Sequence, residues 1–226
     1  MQRVKEFIKK IINLFNLEVK RIRVIQPWMI NTEFLTLFRT IKEKTLVDEV
    51  RCFILYQLAK NMKNLEGDAA ELGVYKGGTA KLLAKILAKQ NKKIHLFDTF
   101  SGMPKTDPLR DYHKEKDFSD VCFREVVEFL SDCQNVVFYN GLFPLTADGL
   151  KNKLFCFVHI DADIYKSVKD ACCFFYPRLI KSGVMVFDDY GFLTCPGAKL
   201  AVDEFFLDKP ENPVYLPTGQ CIVFKI

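Results

Sequence analysis

Residues 154–163 read LFCFVHIDAD, and residues 183–190 read GVMVFDDY. In both stretches a short apolar run, rich in β-branched and aromatic residues, ends in acidic residues. Runs of this kind predict buried strands of a parallel sheet. Two neighbouring parallel strands would bring Asp161, Asp163, Asp188 and Asp189 to the same edge of the sheet. Because four carboxylates at one edge repel one another, the pattern predicts a cation bound among them.

Predicted strands and helices alternate from residue 68 onward. A strand at 69–72, a glycine-rich turn at 73–78, a helix at 79–90 and a strand at 93–97 follow in order. Further helices are predicted at 119–130, 165–180 and 197–207, further strands at 135–139, 154–160 and 184–187, and a terminal hairpin from segments 214–216 and 221–224. This alternation predicts an α/β fold with a doubly wound sheet.

The chain before this sheet is predicted to be helical. Apolar residues recur at helical spacing over residues 2–16, Thr32 is predicted to cap a helix, and residues 46–62 form another. We expect an N-terminal helical extension at 1–64 and a domain at 65–226. The first helix is expected to pack on its own domain or on a second subunit of a homo-oligomer. The alternative is peripheral contact with an anionic membrane surface, because lysines flank its apolar stripe.

The composition excludes several classes of protein. Hydrophobic residues make up 49% and charged residues 27%, the formal net charge is +5, and no apolar run approaches the ~20 residues of a membrane span. No basic block with interleaved aromatic residues indicates a nucleic-acid partner. The eight cysteines form no CxxC pair and no zinc spacing, and the N-terminus does not resemble a signal peptide. We expect reduced thiols in a cytoplasmic protein, with attachment to the inner face of the membrane as the alternative.

The turn at residues 73–78 is the second candidate site. Its glycines allow a tight turn close to a ligand, and Asp98 ends the next predicted strand, where a carboxylate can hold ribose hydroxyls. The spacing is not G-x-G-x-x-G, which favours S-adenosylmethionine over a dinucleotide. A plain strand-to-helix turn with a surface aspartate is the alternative. At the acidic edge, hard oxygen ligands without nearby cysteine favour magnesium over zinc.

Five motifs occur in one order along the chain. They are Glu71-x-Gly73-Val74-Tyr75-x-Gly77-Gly78, Phe97-Asp98-Thr99-Phe100-x-Gly102-Met103-Pro104, Asp161-x-Asp163-x-Tyr165-x-Ser167, Asp188-Asp189-Tyr190 and Gly197-Ala198-x-x-Ala201-Val202-Asp203-x-Phe205. Together they resemble the macrocin O-methyltransferase family, whose members methylate sugar hydroxyls on macrolide and aminocoumarin antibiotics. The resemblance covers roughly residues 65–207.

The resemblance implies a class I, Rossmann-like S-adenosylmethionine fold with seven strands, mostly parallel, helices on both faces and an antiparallel last strand. It implies Mg²⁺ on Asp161, Asp188 and Asp189, and a general base at Asp163. The residues matching the cofactor pocket are Glu71, Gly73, Val74, Tyr75, Gly77, Gly78, Asp98, Thr99, Phe100, Ser101, Asp117, Phe118 and Asp161. The expected reaction is methyl transfer to a hydroxyl of a free, nucleotide-linked or glycan sugar held as a diol on the metal.

The sequence departs from the family pattern where substrates bind. Ala162 replaces a usual glycine, the loop at 103–117 is lysine-rich and carries His113, and the C-terminal end lacks a tryptophan. A macrolide acceptor is therefore left open, as are a catechol acceptor and a catalytically silent S-adenosylmethionine-binding scaffold. His113 and His159 are alternative bases, although a buried structural role is expected for His159. Two loop charges, Lys76 and Arg110, are expected to be solvated and not to bind a substrate phosphate.

Overall fold

The computed structural model describes residues 25–226, so the helix predicted at 2–16 lies outside the described residues. Within 25–226, no helix is both long enough and apolar enough to cross a membrane. The α-helices are α1 (Thr32–Ile41), α2 (Glu49–Asn61), α3 (Gly78–Ala88), α4 (Phe123–Phe129), α5 (Tyr165–Phe175) and α6 (Pro196–Phe206). The strands are β1 (Asp68–Leu72), β2 (Ile94–Asp98), β3 (Val136–Asn140), β4 (Phe155–Ile160), β5 (Leu179–Phe187), β6 (Val214–Tyr215) and β7 (Cys221–Phe224).

The strands form one seven-stranded sheet in the order β3-β2-β1-β4-β5-β7-β6. Strands β1 to β5 pair in parallel, β7 is antiparallel to β5, and β6 and β7 form the terminal hairpin. The predicted fold class is therefore confirmed. In the register, Leu72 pairs with Ile160, which pairs with Phe187. The residues that follow these three, including Asp161 and Asp188, consequently meet at one edge of the sheet.

Helices cover both faces of the sheet. On one face, α1, α2 and α3 pack in a core that includes Phe34, Tyr56 and Leu83, all almost fully buried. On the other face, α5 and α6 contribute Phe175 and Val202 to a second core with the sheet. Because α1 and α2 share a core with α3 and β1, the first described helices are packed onto the sheet layer and are not a separate body.

Two local expectations for α1 and α2 were wrong. The side chain of Asn31, not Thr32, caps α1 by accepting the Phe34 N–H at 2.9 Å. Helix α2 begins at Glu49 after the cap Asp48, so Leu46 precedes the helix and is 64% exposed. The apolar residues of α2 are distributed around most of its circumference. Their periodicity alone therefore does not select a buried face. Contact with neighbouring elements does, and the buried residues are Cys52, Phe53, Leu55, Tyr56 and Ala59.

Candidate active site

A tight turn between β1 and α3 forms one wall of a cleft of about 310 Å³. Gly73 has φ +88°, and a Cβ there would lie 1.7 Å from the carbonyl oxygen of Asp161. Gly77, with φ +85°, precedes α3. Glycine is needed at these positions because its backbone adopts positive φ without a steric clash. Val74 and Tyr75 line the cleft between them.

Asp98 at the end of β2 fixes this turn. One carboxylate oxygen accepts the backbone N–H groups of Val74 at 2.7 Å and Tyr75 at 2.8 Å. The other oxygen accepts the N–H of Phe100 at 2.7 Å. Asp98 also lines the cleft. Asp98 therefore lies at the position expected for a ribose-binding carboxylate. Three backbone N–H groups already use much of its capacity to accept hydrogen bonds.

The segments after β2 contribute unevenly to the cleft. Thr99 and Phe118 line it, and the Phe118 ring lies 6.2 Å from that of Tyr75. Phe100 is buried against the ring of Phe123, at 4.8 Å, and supports the turn from behind. The other predicted cofactor residues, which are not among the side chains lining this cleft, are Glu71, Gly77, Gly78, Phe100, Ser101 and Asp117.

A fully buried row of charged side chains joins β1, β4 and β5. His159 Nδ1 lies 2.8 Å from Glu71 Oε1, and His159 Nε2 lies 3.6 Å from Asp188 Oδ1. Burial acts to lower the pKa of His159, but the two carboxylates outweigh it and raise the pKa to about 10. The two carboxylates thus favour the charged form of the His159 ring. A histidine in this environment has a structural role. Glu71 is part of the same buried row and does not line the cleft.

Asp161, Asp188 and Asp189 bring carboxylate oxygens within 4.8 Å of one another. Removal from bulk water, reinforced by the neighbouring carboxylates, raises the pKa of both Asp161 and Asp189 well above the usual range. These two groups therefore lack enough positive charge around them in the protein itself. Hard oxygen donors with unbalanced negative charge fit a divalent cation such as Mg²⁺.

Asp188 differs because the protein already pairs its charge. Arg51 of α2 donates to one carboxylate oxygen, and Gln220 Nε2 donates to the other at 2.7 Å. Burial acts to raise the pKa of Asp188, but His159 and Arg51 outweigh it, and the pKa is lowered. Further contacts fix the Arg51 guanidinium: Asp48 Oδ2 at 2.8 Å, the Leu46 carbonyl at 3.0 Å and the ring centroid of Phe192 at 4.8 Å.

Asp163, the predicted base, lies beside this cluster. It has φ +55°, and its N–H donates to Asp189 Oδ2 at 3.0 Å. Burial raises the pKa of Asp163, while the nearby His113 acts in the opposite direction. Asp163 and His113 both line the cleft, so the structure brings the two predicted bases together.

The two loop charges that we expected to be solvated have protein partners. Lys76 pairs with Asp120 at 2.5 Å. The Arg110 guanidinium lies 4.2 Å from the ring centroid of Tyr165. Neither side chain lines the cleft.

Several cleft residues were not found from sequence. Thr45, Leu46 and Val47 come from the segment leading into α2, and Arg51 comes from α2 itself, all within the predicted N-terminal extension. Others come from loops that follow β3 and β5, namely Gly141, Leu142, Phe143, Phe192, Thr194 and Cys195. The Asn140-Gly141 strand end was a usable signal for the β3 loop. No local pattern indicated the contribution of the segment before α2.

Comparison with known proteins agrees with this architecture. A family model for macrocin O-methyltransferase (TylF) matches residues 44–214, well over half of the chain. The demethyldecarbamoylnovobiocin O-methyltransferase of Streptomyces niveus is 28% identical over 156 residues, 63% of this chain and 59% of that protein. The 8-demethyl-8-(2,3-dimethoxy-alpha-L-rhamnosyl)-tetracenomycin-C 4'-O-methyltransferase of Streptomyces olivaceus is 29% identical over 147 residues, 58% of this chain and 56% of that protein. The chain thus spans less than two thirds of either relative.

Solved structures show the same fold. The O-methyltransferase NovP superposes with a TM-score of 0.70 at 24% identity, over 80% of this chain and 82% of NovP. The calicheamicin methyltransferase CalS11 superposes with a TM-score of 0.68 at 16% identity, over 92% of this chain and 97% of CalS11. With the fold and the family match in agreement, the chain belongs to the macrocin O-methyltransferase (TylF) family and has the class I methyltransferase fold.

Proposed function

We propose that the protein is an S-adenosylmethionine-dependent O-methyltransferase that methylates a hydroxyl of a sugar bound as a vicinal diol on Mg²⁺. The observation that carries this proposal is the direct contact between the two candidate sites. The backbone of Gly73, in the turn, packs so closely on the Asp161 carbonyl that no Cβ fits between them. A donor held by the turn and an acceptor held at the acid cluster, which consists of Asp161, Asp188 and Asp189, would therefore share one cleft.

On the donor side, the turn and the end of β2 provide the binding surface. Val74, Tyr75, Asp98 and Thr99 line the cleft, and Phe118 offers an aromatic ring beside Tyr75. S-adenosylmethionine carries an adenine ring and ribose hydroxyls, which match an aromatic wall and a carboxylate. The family membership and neighbours described as complexes with S-adenosylhomocysteine support this choice of donor.

On the acceptor side, Asp161, Asp188 and Asp189 would hold the metal, and Asp163 would take the proton. Bound Mg²⁺ would supply a Lewis acid that lowers the pKa of an adjacent hydroxyl. An ordinary aspartate has a pKa of ~3.9, too low to deprotonate a free sugar hydroxyl efficiently without such help. As the acceptor oxygen forms its bond to the methyl carbon, the carbon–sulfur bond breaks, and the hydroxyl proton passes to the Asp163 carboxylate.

The choice of a sugar rests on the relatives. Both curated relatives are named as O-methyltransferases, and one of those names specifies a rhamnosyl group. CalS11 is also described as a TDP-rhamnose 3'-O-methyltransferase. We therefore propose a deoxyhexose or related sugar, free or nucleotide-linked, in preference to a catechol. The acid cluster argues against a silent scaffold, since unpaired buried carboxylates are costly without a cation to bind.

The proposal is tested by measuring S-adenosylhomocysteine release from the purified full-length chain. The acceptors are nucleotide-linked and free deoxyhexoses, matched sugars lacking one hydroxyl of the diol, and catechol, each with Mg²⁺ or with a chelator. We expect turnover only with an intact sugar diol and Mg²⁺. Turnover that is equal in chelator, or restricted to catechol, would contradict the proposal, and cofactor binding without turnover on any acceptor would favour the silent scaffold.

A further inference from the structure

Three side chains from three different loops meet beside the acid cluster, and none of them belongs to its carboxylate triad. His113 comes from the loop after β2, Asp163 from the loop after β4, and Cys195 immediately precedes α6. His113 Nε2 lies 3.7 Å from Asp163 Oδ1, Cys195 Sγ lies 3.4 Å from the same oxygen, and Cys195 Sγ lies 3.8 Å from His113 Nε2. The three atoms form a nearly equilateral triangle.

The dimensions of this triangle match one face of a tetrahedral metal site. Zinc binds nitrogen and oxygen at about 2.0–2.2 Å and sulfur at about 2.3 Å, which places tetrahedral ligands roughly 3.3–3.8 Å apart. A nitrogen, an oxygen and a sulfur ligand are also a softer set than the three carboxylates next to them, and imidazole and thiolate favour zinc over magnesium. The acid cluster and this triangle therefore differ in the metal they select.

A fourth residue supports a ligand role for His113. Its other ring nitrogen, Nδ1, lies 3.2 Å from Asp117 Oδ2, and Asp117 also accepts the Lys114 N–H at 2.9 Å. Histidines that bind metals commonly donate their second ring N–H to a carboxylate, which fixes the tautomer and leaves the other nitrogen for the metal. Asp117 thus orients the Nε2 atom of His113 toward Asp163 and Cys195.

We propose that His113, Asp163 and Cys195 form a second metal site that binds a zinc-like transition-metal ion, separate from the Mg²⁺ site. All three residues line the cleft, so a fourth position is open to water or to a ligand in the cleft. As the metal–sulfur bond forms, the thiol proton of Cys195 leaves to solvent. The consequence for catalysis rests on the proposed function: an ion on Asp163 occupies the proposed base, so zinc inhibits methyl transfer.

Binding is tested with Co²⁺ as a spectroscopic substitute for zinc, added to the full-length protein in excess Mg²⁺ so that the acid cluster is saturated. We expect one Co²⁺ per chain and a thiolate-to-cobalt charge-transfer band. The band is lost in Cys195→Ser and kept in the control Cys173→Ser, since Cys173 is an exposed thiol on α5. Asp117→Asn should weaken Co²⁺ binding about 10–100-fold, and His113→Gln, which removes a ligand on the loop after β2, should weaken it at least as much.

A wild-type protein without the charge-transfer band, or a Cys195→Ser variant that keeps it, would overturn the metal site. This readout needs no methyl transfer, so it stands apart from any failure of the proposed function. In the methyl-transfer assay with saturating Mg²⁺, zinc should inhibit the wild type and Cys173→Ser at least tenfold more strongly than Cys195→Ser. Equal inhibition of all three proteins would overturn the consequence for catalysis.

Discussion

Two groups of charged side chains lie side by side at the ends of β1, β4 and β5, and they differ in how their charge is balanced. In the buried row, Glu71 and Asp188 flank His159, and Arg51 completes the pairing. In the cleft, Asp161 and Asp189 have a strongly raised pKa because burial and mutual repulsion are not offset. Buried carboxylates thus have two different roles in neighbouring parts of the structure. Glu71 and His159 hold the strands together, Asp188 belongs to both groups, and the unpaired Asp161 and Asp189 are available to a cation.

The largest effect is expected on the cleft side, at Asp163. Asp163→Asn keeps the shape of the side chain but cannot accept the proton from the acceptor. Loss of a positioned general base typically costs about 10²–10⁴-fold in rate. We expect kcat for methyl transfer to fall by that factor while the calorimetric affinity for S-adenosylhomocysteine is unchanged. Retained turnover would remove Asp163 from the mechanism.

On the buried side, His159→Gln should destabilise the fold. Removing one partner of a buried ion pair costs about 3–5 kcal/mol, because the remaining charges lose their compensation. Urea unfolding of the metal-free protein measures this loss. A variant as stable as the wild type would contradict the structural role of His159.

The same variant tests a pH dependence. The folded pKa of His159 is raised to about 10, above the unfolded value of ~6.5. Its stabilisation is therefore complete below pH ~6.5 and is lost as pH rises through the folded value. We expect the difference in unfolding free energy between wild type and His159→Gln to shrink over this window. A difference that grows with pH would contradict the assignment.

A smaller effect is expected at the point where the two groups meet. Arg51 places a positive charge next to the metal-binding carboxylates, so Arg51→Gln should strengthen Mg²⁺ binding by about tenfold, by Coulomb's law at close range in a water-like dielectric. Arg51→Lys keeps the charge and is the matched control. Calorimetric titration of Mg²⁺ distinguishes them, and weaker binding in Arg51→Gln would show that Arg51 supports the metal site instead of opposing it.

The smallest effect is expected outside both groups. Lys76 pairs with Asp120 at the surface, where solvent screens the attraction. Lys76→Met should leave the unfolding midpoint and the KM for S-adenosylmethionine unchanged. A clear rise in KM would instead place Lys76 at the cofactor.

Sequence predicted the strand ends well because a parallel sheet brings the residues after its strands to one edge. The apolar runs before Asp161 and Asp188 were therefore enough to place both acids, and the turn at Gly73 followed from its glycines. The pairing of Asp188 with Arg51 could not be predicted, since these residues are 137 positions apart and meet only through the packing of α2. The position of His113 was equally inaccessible, because its loop has no periodic pattern that would orient a side chain.

Asp161 and Asp189, the unpaired carboxylates of the cleft, should hold a divalent cation together with Asp188. Calorimetric titration of Mg²⁺ into wild type, Asp189→Asn and the surface control Asp208→Asn tests this directly. We predict one Mg²⁺ per chain in the wild type and in Asp208→Asn, and Mg²⁺ binding at least ~100-fold weaker in Asp189→Asn. Loss of a residue that only orients a metal ligand costs about 10–100-fold in affinity, and loss of a direct ligand should cost no less. Equal Mg²⁺ affinity in all three proteins, or no binding to the wild type, would rule out a cation on these carboxylates.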